Sequence, residues 1–306
     1  MTNNLNRHVF FIDSDGETEA VIRNAKKACN IEAAANLNPD YTIHLIFLTP
    51  THEMMLRYTT LLKVLMSYKN IKIQFMNVKD YCKGTELDSW IKGDPFWRYS
   101  TGQIADVMKI MSVFKYGGVI MNFDTLSIRS LHEIDHPSFA CSAHGRFAIY
   151  DGVVRLDTKF GSKLALGFFE RLQKAFQMIP LSSGEEKDEF YNKESEDPHD
   201  PHRLLLNTLQ SLCPDVKFHS NTSVDCGDIL IFPTDKCAQK LGRSRSKMFM
   251  LNNKKFPQSE VSNSFFVNIE TKGSNSGYLK VYKRSDYAKL ARKFCPKVVE
   301  SSGKFI

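Results

Sequence analysis

No stretch of this 306-residue chain approaches the roughly 18 consecutive apolar residues of a membrane-spanning helix. The first apolar run, Val9 to Ile12, is too short for the core of a signal peptide. As written, the sequence shows no export address and no anchor, and it reads as soluble. Cysteines at C-x-x-C or zinc-finger spacing are also missing, which argues against a structural metal site. Tryptophan is scarce: Trp90 and Trp97 precede the longest amphipathic segment, and either core packing or stacking on a sugar suits them.

What is present is an ordinary globular composition. Hydrophobic residues make up 42% and charged residues 25%, enough to bury a sizeable core and to exclude disorder along the whole length. The formal net charge of +7 suits anionic partners without choosing among them. Seven cysteines allow up to three disulfides with one thiol left over, or a set of buried free thiols. Asn221-Thr222-Ser223 is a glycan acceptor only if the chain enters the secretory route. Basic residues cluster between Arg243 and Lys255, yet no interleaved aromatics or recognised module accompany them, so nucleic acid is not an expected partner.

The first half alternates strand and helix. Strands are expected at His8 to Ile12, Thr42 to Leu48 and Ile71 to Phe75, with helices at Thr18 to Asn36 and Met54 to Met66 between them. That order predicts an α/β fold, a mostly parallel sheet flanked by helices, with ligands bound beyond the carboxyl ends of the strands. Ser100-Thr101-Gly102-Gln103 has the form of a capping box. The helix it opens carries Ile104, Val107, Met108, Met111 and Phe114 on one face and stops at Gly117-Gly118. Val119 to Met121 then delivers Asn122-Phe123-Asp124 to a strand end. Residues 184–200 are polar, mostly acidic and without periodicity, and read as a loop over or beside the site. Helices at Arg203 to Leu212 and Ser285 to Phe294, and strands near Val216 to His219 and Ile229 to Phe232, complete the expectation.

Asp106 and Lys109 lie three apart on the long helix and so share a face, with Asp124 at the tip of the next strand. A carboxylate beside a helix-borne acid and base can hold a divalent cation and a diphosphate, because hard cations take oxygen ligands and share them with phosphates. An exposed ion pair and a turn aspartate explain the same spacing without any ligand.

Ala105 to Asp124 (ADVMKIMSVFKYGGVIMNFD) resembles the SDxxR…YGGxYxDxD block of the α-1,4-glycosyltransferase family. Ala28 to Asp40 (ACNIEAAANLNPD) is similar to its ACxxESAAxxNPD block, and Tyr287 to Pro296 (YAKLARKFCP) to its closing YAxLARxxCP. The three blocks stand in the same order and span nearly the whole chain. The resemblance implies a GT-A architecture in a single large domain, with residues 1–130 as the nucleotide-sugar half and 131–306 as the acceptor side. It further implies a UDP-sugar donor, manganese, a glycan or glycolipid acceptor and transfer with retention of the α configuration. Carried over, Asp124 becomes the metal ligand, with Asp106, Lys109 and Asn122 as further donor contacts. No residue is assigned as a catalytic nucleophile. Family members are anchored in the Golgi lumen, which would be this chain's compartment if an anchor preceded it; without one it would be cytoplasmic or secreted by another route.

The site blocks depart from the pattern where the frame blocks do not. Asn122 replaces an aspartate and carries no charge; Lys109 replaces an arginine and loses the planar fork. Asp200-Pro201-His202 stands for NGP and Asn268-Ile269-Glu270-Thr271 for HxWN, and no FYPI follows Phe232-Pro233. These changes together raise a second expectation, a binding module on the same scaffold that has lost transfer.

Overall fold

The computed structural model describes residues 7–14, 19–20, 22, 24–49, 55–93, 98–141, 153–177, 200–214, 222–240, 263–269 and 284–302. In the first half the chain forms β1 (His8–Asp13), β2 (Glu19–Ala20), α1 (Ala25–Leu37), β3 (Thr42–Thr49), β4 (Met55–Leu56), α2 (Thr60–Met66), β5 (Ile71–Asn77), α3 (Val78–Cys82), α4 (Asp88–Lys92), α5 (Thr101–Tyr116), β6 (Gly118–Met121) and β7 (Thr125–Ser127). There follow β8 (Phe139–Cys141), β9 (Val153–Leu156), α6 (Thr158–Gln177), α7 (Pro201–Leu212), β10 (Val224–Asp225), β11 (Leu230–Phe232), α8 (Thr234–Cys237), β12 (Ala238–Lys240), β13 (Phe266–Asn268), α9 (Asp286–Phe294) and α10 (Pro296–Ser301).

Eight strands make one sheet in the order β10-β11-β8-β9-β6-β1-β3-β5. β1 runs parallel to β3 on one side and to β6 on the other, β3 runs parallel to β5, and β9 is antiparallel to both β6 and β8. The α/β reading from the sequence therefore holds. Alternation along the central strands explains the layers. Val9, Phe11, Ile43, Leu45 and Phe47 pack with α1, α2, α9 and α10 on one face. Phe10, Ile12, Ile46 and Leu48 pack with α5, α6 and α7 on the other.

Two expected helices are shorter than their sequence pattern. α1 starts at Ala25, not Thr18, because the Asn24 side chain caps the Lys26 N–H at 2.9 Å while Glu19–Ala20 pairs in parallel with Met55–Leu56. That pairing also removes residues 55–56 from the second helix, which begins at Thr60 with Thr59 capping Leu62 N–H at 3.1 Å. The capping box at Ser100 forms with both of its bonds. α5 ends at Gly117 (φ +65°) and Gly118 (φ +111°), and a side chain at Gly118 would meet the His8 carbonyl at 2.6 Å. The expected loop at 184–199, the strand at 216–219, the cluster at 243–255, Trp97 and Asn221 lie outside the described residues. Trp90 is buried in the core.

The frame blocks join one another. Cys29 on α1 is disulfide-bonded to Cys295 between α9 and α10; the other pairs are Cys141–Cys237 and Cys213–Cys226, leaving Cys82 as a buried thiol. Glu32, fully buried, accepts from the backbone N–H groups of Lys297 (3.0 Å) and Val298 (2.8 Å) and from the Tyr68 hydroxyl (2.5 Å). Asn36 donates to the Phe294 carbonyl at 3.2 Å. Ala28 to Asp40 and Tyr287 to Pro296 are thus matched parts of one clamp.

Candidate active site

The chain runs outward from β1 to β3 and β5 and then returns to the opposite side of β1 as β6. Between β1 and β6 lies the switch point, where an open α/β sheet leaves a crevice beyond its strand ends. Asp13 closes β1 there, and Asn122-Phe123-Asp124 follows β6. Asn122 to Thr125 forms a tight turn, the Thr125 N–H donating to the Asn122 carbonyl at 3.1 Å. The loop is held from behind by β13: Asn268 pairs with Thr125, and the Ile269 N–H donates to the Asp124 carbonyl at 2.8 Å. Asn268 and Ile269, the first two residues of the segment that stands for HxWN, therefore lie against this loop.

Three of the four residues singled out from the sequence meet at one ammonium. Lys109 Nζ donates to Asp106 Oδ1 at 2.6 Å and to Asn122 Oδ1 at 2.7 Å. Only 8% of Lys109 is exposed. The solvated helix-surface pair that the spacing alone allowed is not what forms. Asp124 points elsewhere: its Oδ1 accepts from Lys26 Nζ at 2.5 Å.

Lys26 and its neighbours escaped the sequence reading. They come from the first turns of α1, where Lys27 Nζ reaches Asp13 Oδ1 at 3.2 Å and lies 4.8 Å above the Phe123 ring. Asn30 Nδ2 donates to the Phe123 carbonyl, while Asn30 Oδ1 is buried without a hydrogen-bond partner. The available signal was the Lys26-Lys27 pair set two residues before Cys29 and a carboxylate closing the first strand.

The donor set does not suit a divalent cation. Among the described residues no three His, Cys, Asp or Glu side chains converge to hold one. Asp124, which the resemblance places at the metal, and Asn122, which it makes a donor contact, both accept from ammonium groups. Two unit charges about 4 Å apart at a partly exposed site interact by about 4 kcal/mol, so a dication at Asp124 would meet roughly twice that in repulsion from Lys26 before solvent screening. The arrangement instead offers three lysine ammonium groups, each paired with an aspartate, at the carboxyl ends of β1 and β6.

Residues 186–302 of the 306-residue chain match the alpha 1,4-glycosyltransferase conserved region. The matched region contains the Tyr287 to Pro296 block and starts after Asp124. Among solved structures, the chain is similar to the galactosyltransferase LgtC in complex with donor and acceptor sugar analogs (11% identity, 94% of this chain and 96% of that one, TM-score 0.43). It is also similar to the bifunctional glycosyltransferase WbbM (10%, 97% and 51%, 0.48) and to the PaToxG glycosyltransferase (11%, 68% and 69%, 0.46). Likeness at this level says nothing about substrate or residue roles. No curated protein matches the chain. No described helix is long and apolar enough to cross a membrane.

Proposed function

We propose that the chain binds a UDP-sugar in the crevice between the ends of β1 and β6. It transfers the hexose or N-acetylhexosamine, galactose type first among them, to a glycan or glycolipid acceptor with retention of the α configuration. Residues 1–130 supply the donor side, and residues 131–306, with the acidic segment 184–200, the acceptor side. The observation that carries this reading is the gathering of Asp106, Asn122 and Lys109 at the switch point, beside Asp124 and Lys26. Buried ammonium groups beside a ligand pocket offset the charge that grows on a departing nucleoside diphosphate, and preorganised charge of this kind is a large term in such catalysis. Three disulfides favour an oxidising compartment, in keeping with a lumenal or extracellular site of action such as the Golgi lumen.

The test is a panel of UDP-sugars with glycan and lactosyl-type acceptors, run with and without Mn2+, scoring both transfer and donor hydrolysis. Turnover that disappears in Lys109→Met is the expected result. A specific observation supports one other reading: the described aspartates at this strand end, Asp13, Asp106 and Asp124, are each paired with a lysine. A chain that binds UDP but turns over no sugar is then a glycan- or protein-binding module on a transferase frame.

A further inference from the structure

We propose that the Lys26 ammonium takes the place of the divalent cation at Asp124, so that the chain binds its nucleoside diphosphate without a metal. This rests on the donor reading above and deepens it by naming what neutralises the diphosphate.

The charge count supports the exchange. In the pattern the chain resembles, the final aspartate faces the dication and the first stands beside it on the donor. Here the first is the uncharged Asn122, and Asp124 faces one ammonium at 2.5 Å, so among the described residues that pair is neutral without a dication. The ammonium is fixed rather than wandering. Lys26 is 8% exposed and is the second residue of α1, whose first turn is capped by Asn24. Its neighbours on the same helix hold the rest of the loop: Lys27 over the Phe123 ring and Asn30 on the Phe123 carbonyl. Lys109 holds Asn122 from the other side. Asn122-Phe123-Asp124 is therefore organised by α1 and α5 side chains. Asp124 is 43% exposed at its side chain, so the pair opens to the crevice and a phosphate oxygen can reach the ammonium. Lysine is a compact point charge with three donors, suited to a phosphate oxygen and an aspartate at once. The amino end of α1 adds its own partial positive charge in the same place.

The experiment is calorimetric titration of UDP into the full chain, once in EDTA and once in millimolar Mn2+, with Mn2+ alone titrated in parallel and followed by electron paramagnetic resonance. The expected result is the same UDP affinity in both buffers to within about two-fold, with no Mn2+ bound in the absence of nucleotide. Lys26→Gln should weaken UDP binding in EDTA by about ten-fold or more, and Lys26→Arg by much less. The cation resonance on the unaltered chain does not depend on whether Lys26→Gln folds. UDP binding that requires Mn2+ overturns the inference and leaves the donor reading standing. Failure to bind UDP in either buffer overturns both.

Discussion

Replacing Glu32 by alanine should destabilise the protein heavily while leaving the donor crevice intact. The carboxylate is fully buried and satisfies two backbone N–H groups at the start of α10 and the Tyr68 hydroxyl. Burial, together with the adjacent carboxylate, pushes the Tyr68 hydroxyl's pKa up, so it remains a donor throughout the neutral range. Truncation takes the acceptor from one buried donor, the Val298 N–H, and two part-buried ones, at about 1–3 kcal/mol each. Relief of the carboxylate's own desolvation offsets several kcal/mol of that sum. The net loss expected is about 3 kcal/mol; Glu32→Gln, which keeps one acceptor oxygen, should lose about half as much. Urea unfolding followed by the fluorescence of buried Trp90 reads the first quantity, and UDP calorimetry on the folded variant reads the second. A loss under about 1 kcal/mol, or weaker UDP binding by a variant that is still folded, would refute the assignment of this block to the frame.

Three further outcomes are expected. Lys109→Met takes the ammonium from Asp106, whose side chain is only 13% exposed, at a cost of about 3 kcal/mol; Asp106→Asn combined with it should cost less than the sum, with a coupling of about 1–2 kcal/mol in urea unfolding, and additivity would dissolve the pair. His8 and His44 face each other at 3.0 Å beside Gln74 and Lys72, and burial first, then Lys72 (with His8 as well for His44), lowers both imidazoles. Their contribution to stability is then full above about pH 6.5 and is lost as pH falls through their lowered folded values, so His44→Gln should flatten the acid limb of a melting-temperature profile. Denatured without reductant, the chain should take up one alkylating label, at Cys82, of the seven available after reduction. Removing Cys29–Cys295, whose ends are 266 positions apart, should cost about 3–5 kcal/mol in unfolding free energy.

The sheet was legible in the sequence because its central strands are read twice. Apolar alternation gives their faces, and the strand-helix order gives their parallel pairing. α5 was legible for the same reason, with a complete capping box at one end and two glycines at the other. The early starts assigned to α1 and α2 failed because periodicity cannot see that residues 19–20 and 55–56 pair with each other across the fold. α6 was overlooked although Leu164, Ala165, Phe168, Phe169 and Leu172 mark a buried stripe at helical spacing. Disulfide partners were not recoverable, since seven cysteines at irregular spacing leave many pairings open. Asp106, Lys109 and Asn122 were found by position, but Lys26 was not. Nothing local to α1 announces that the end of β6, almost a hundred residues later, will bring a carboxylate to it.

That separation also explains how a frame can persist while its site changes. Cys29, Glu32 and Asn36 recur at spacings of three and four and so share one face of α1, the face that grips α9 and α10. Lys26 and Asn30, four apart, occupy another, turned toward Asn122-Phe123-Asp124. At 100° per residue these two faces stand well apart around the helix axis. A lysine can therefore enter the crevice at position 26 while Cys29, Glu32 and Asn36 hold the adjoining face toward α9 and α10. The clamp has no corresponding freedom, because each of its groups is buried against a partner far along the chain and a change on one side strands the other. Substitution is thus confined to the face where charge can be rebalanced by a single neighbour. Asn122 and Lys26 fit that description: with Asn122 uncharged, the one carboxylate left on the loop, Asp124, is matched by the single Lys26 ammonium, within contacts that α1 and α5 already make.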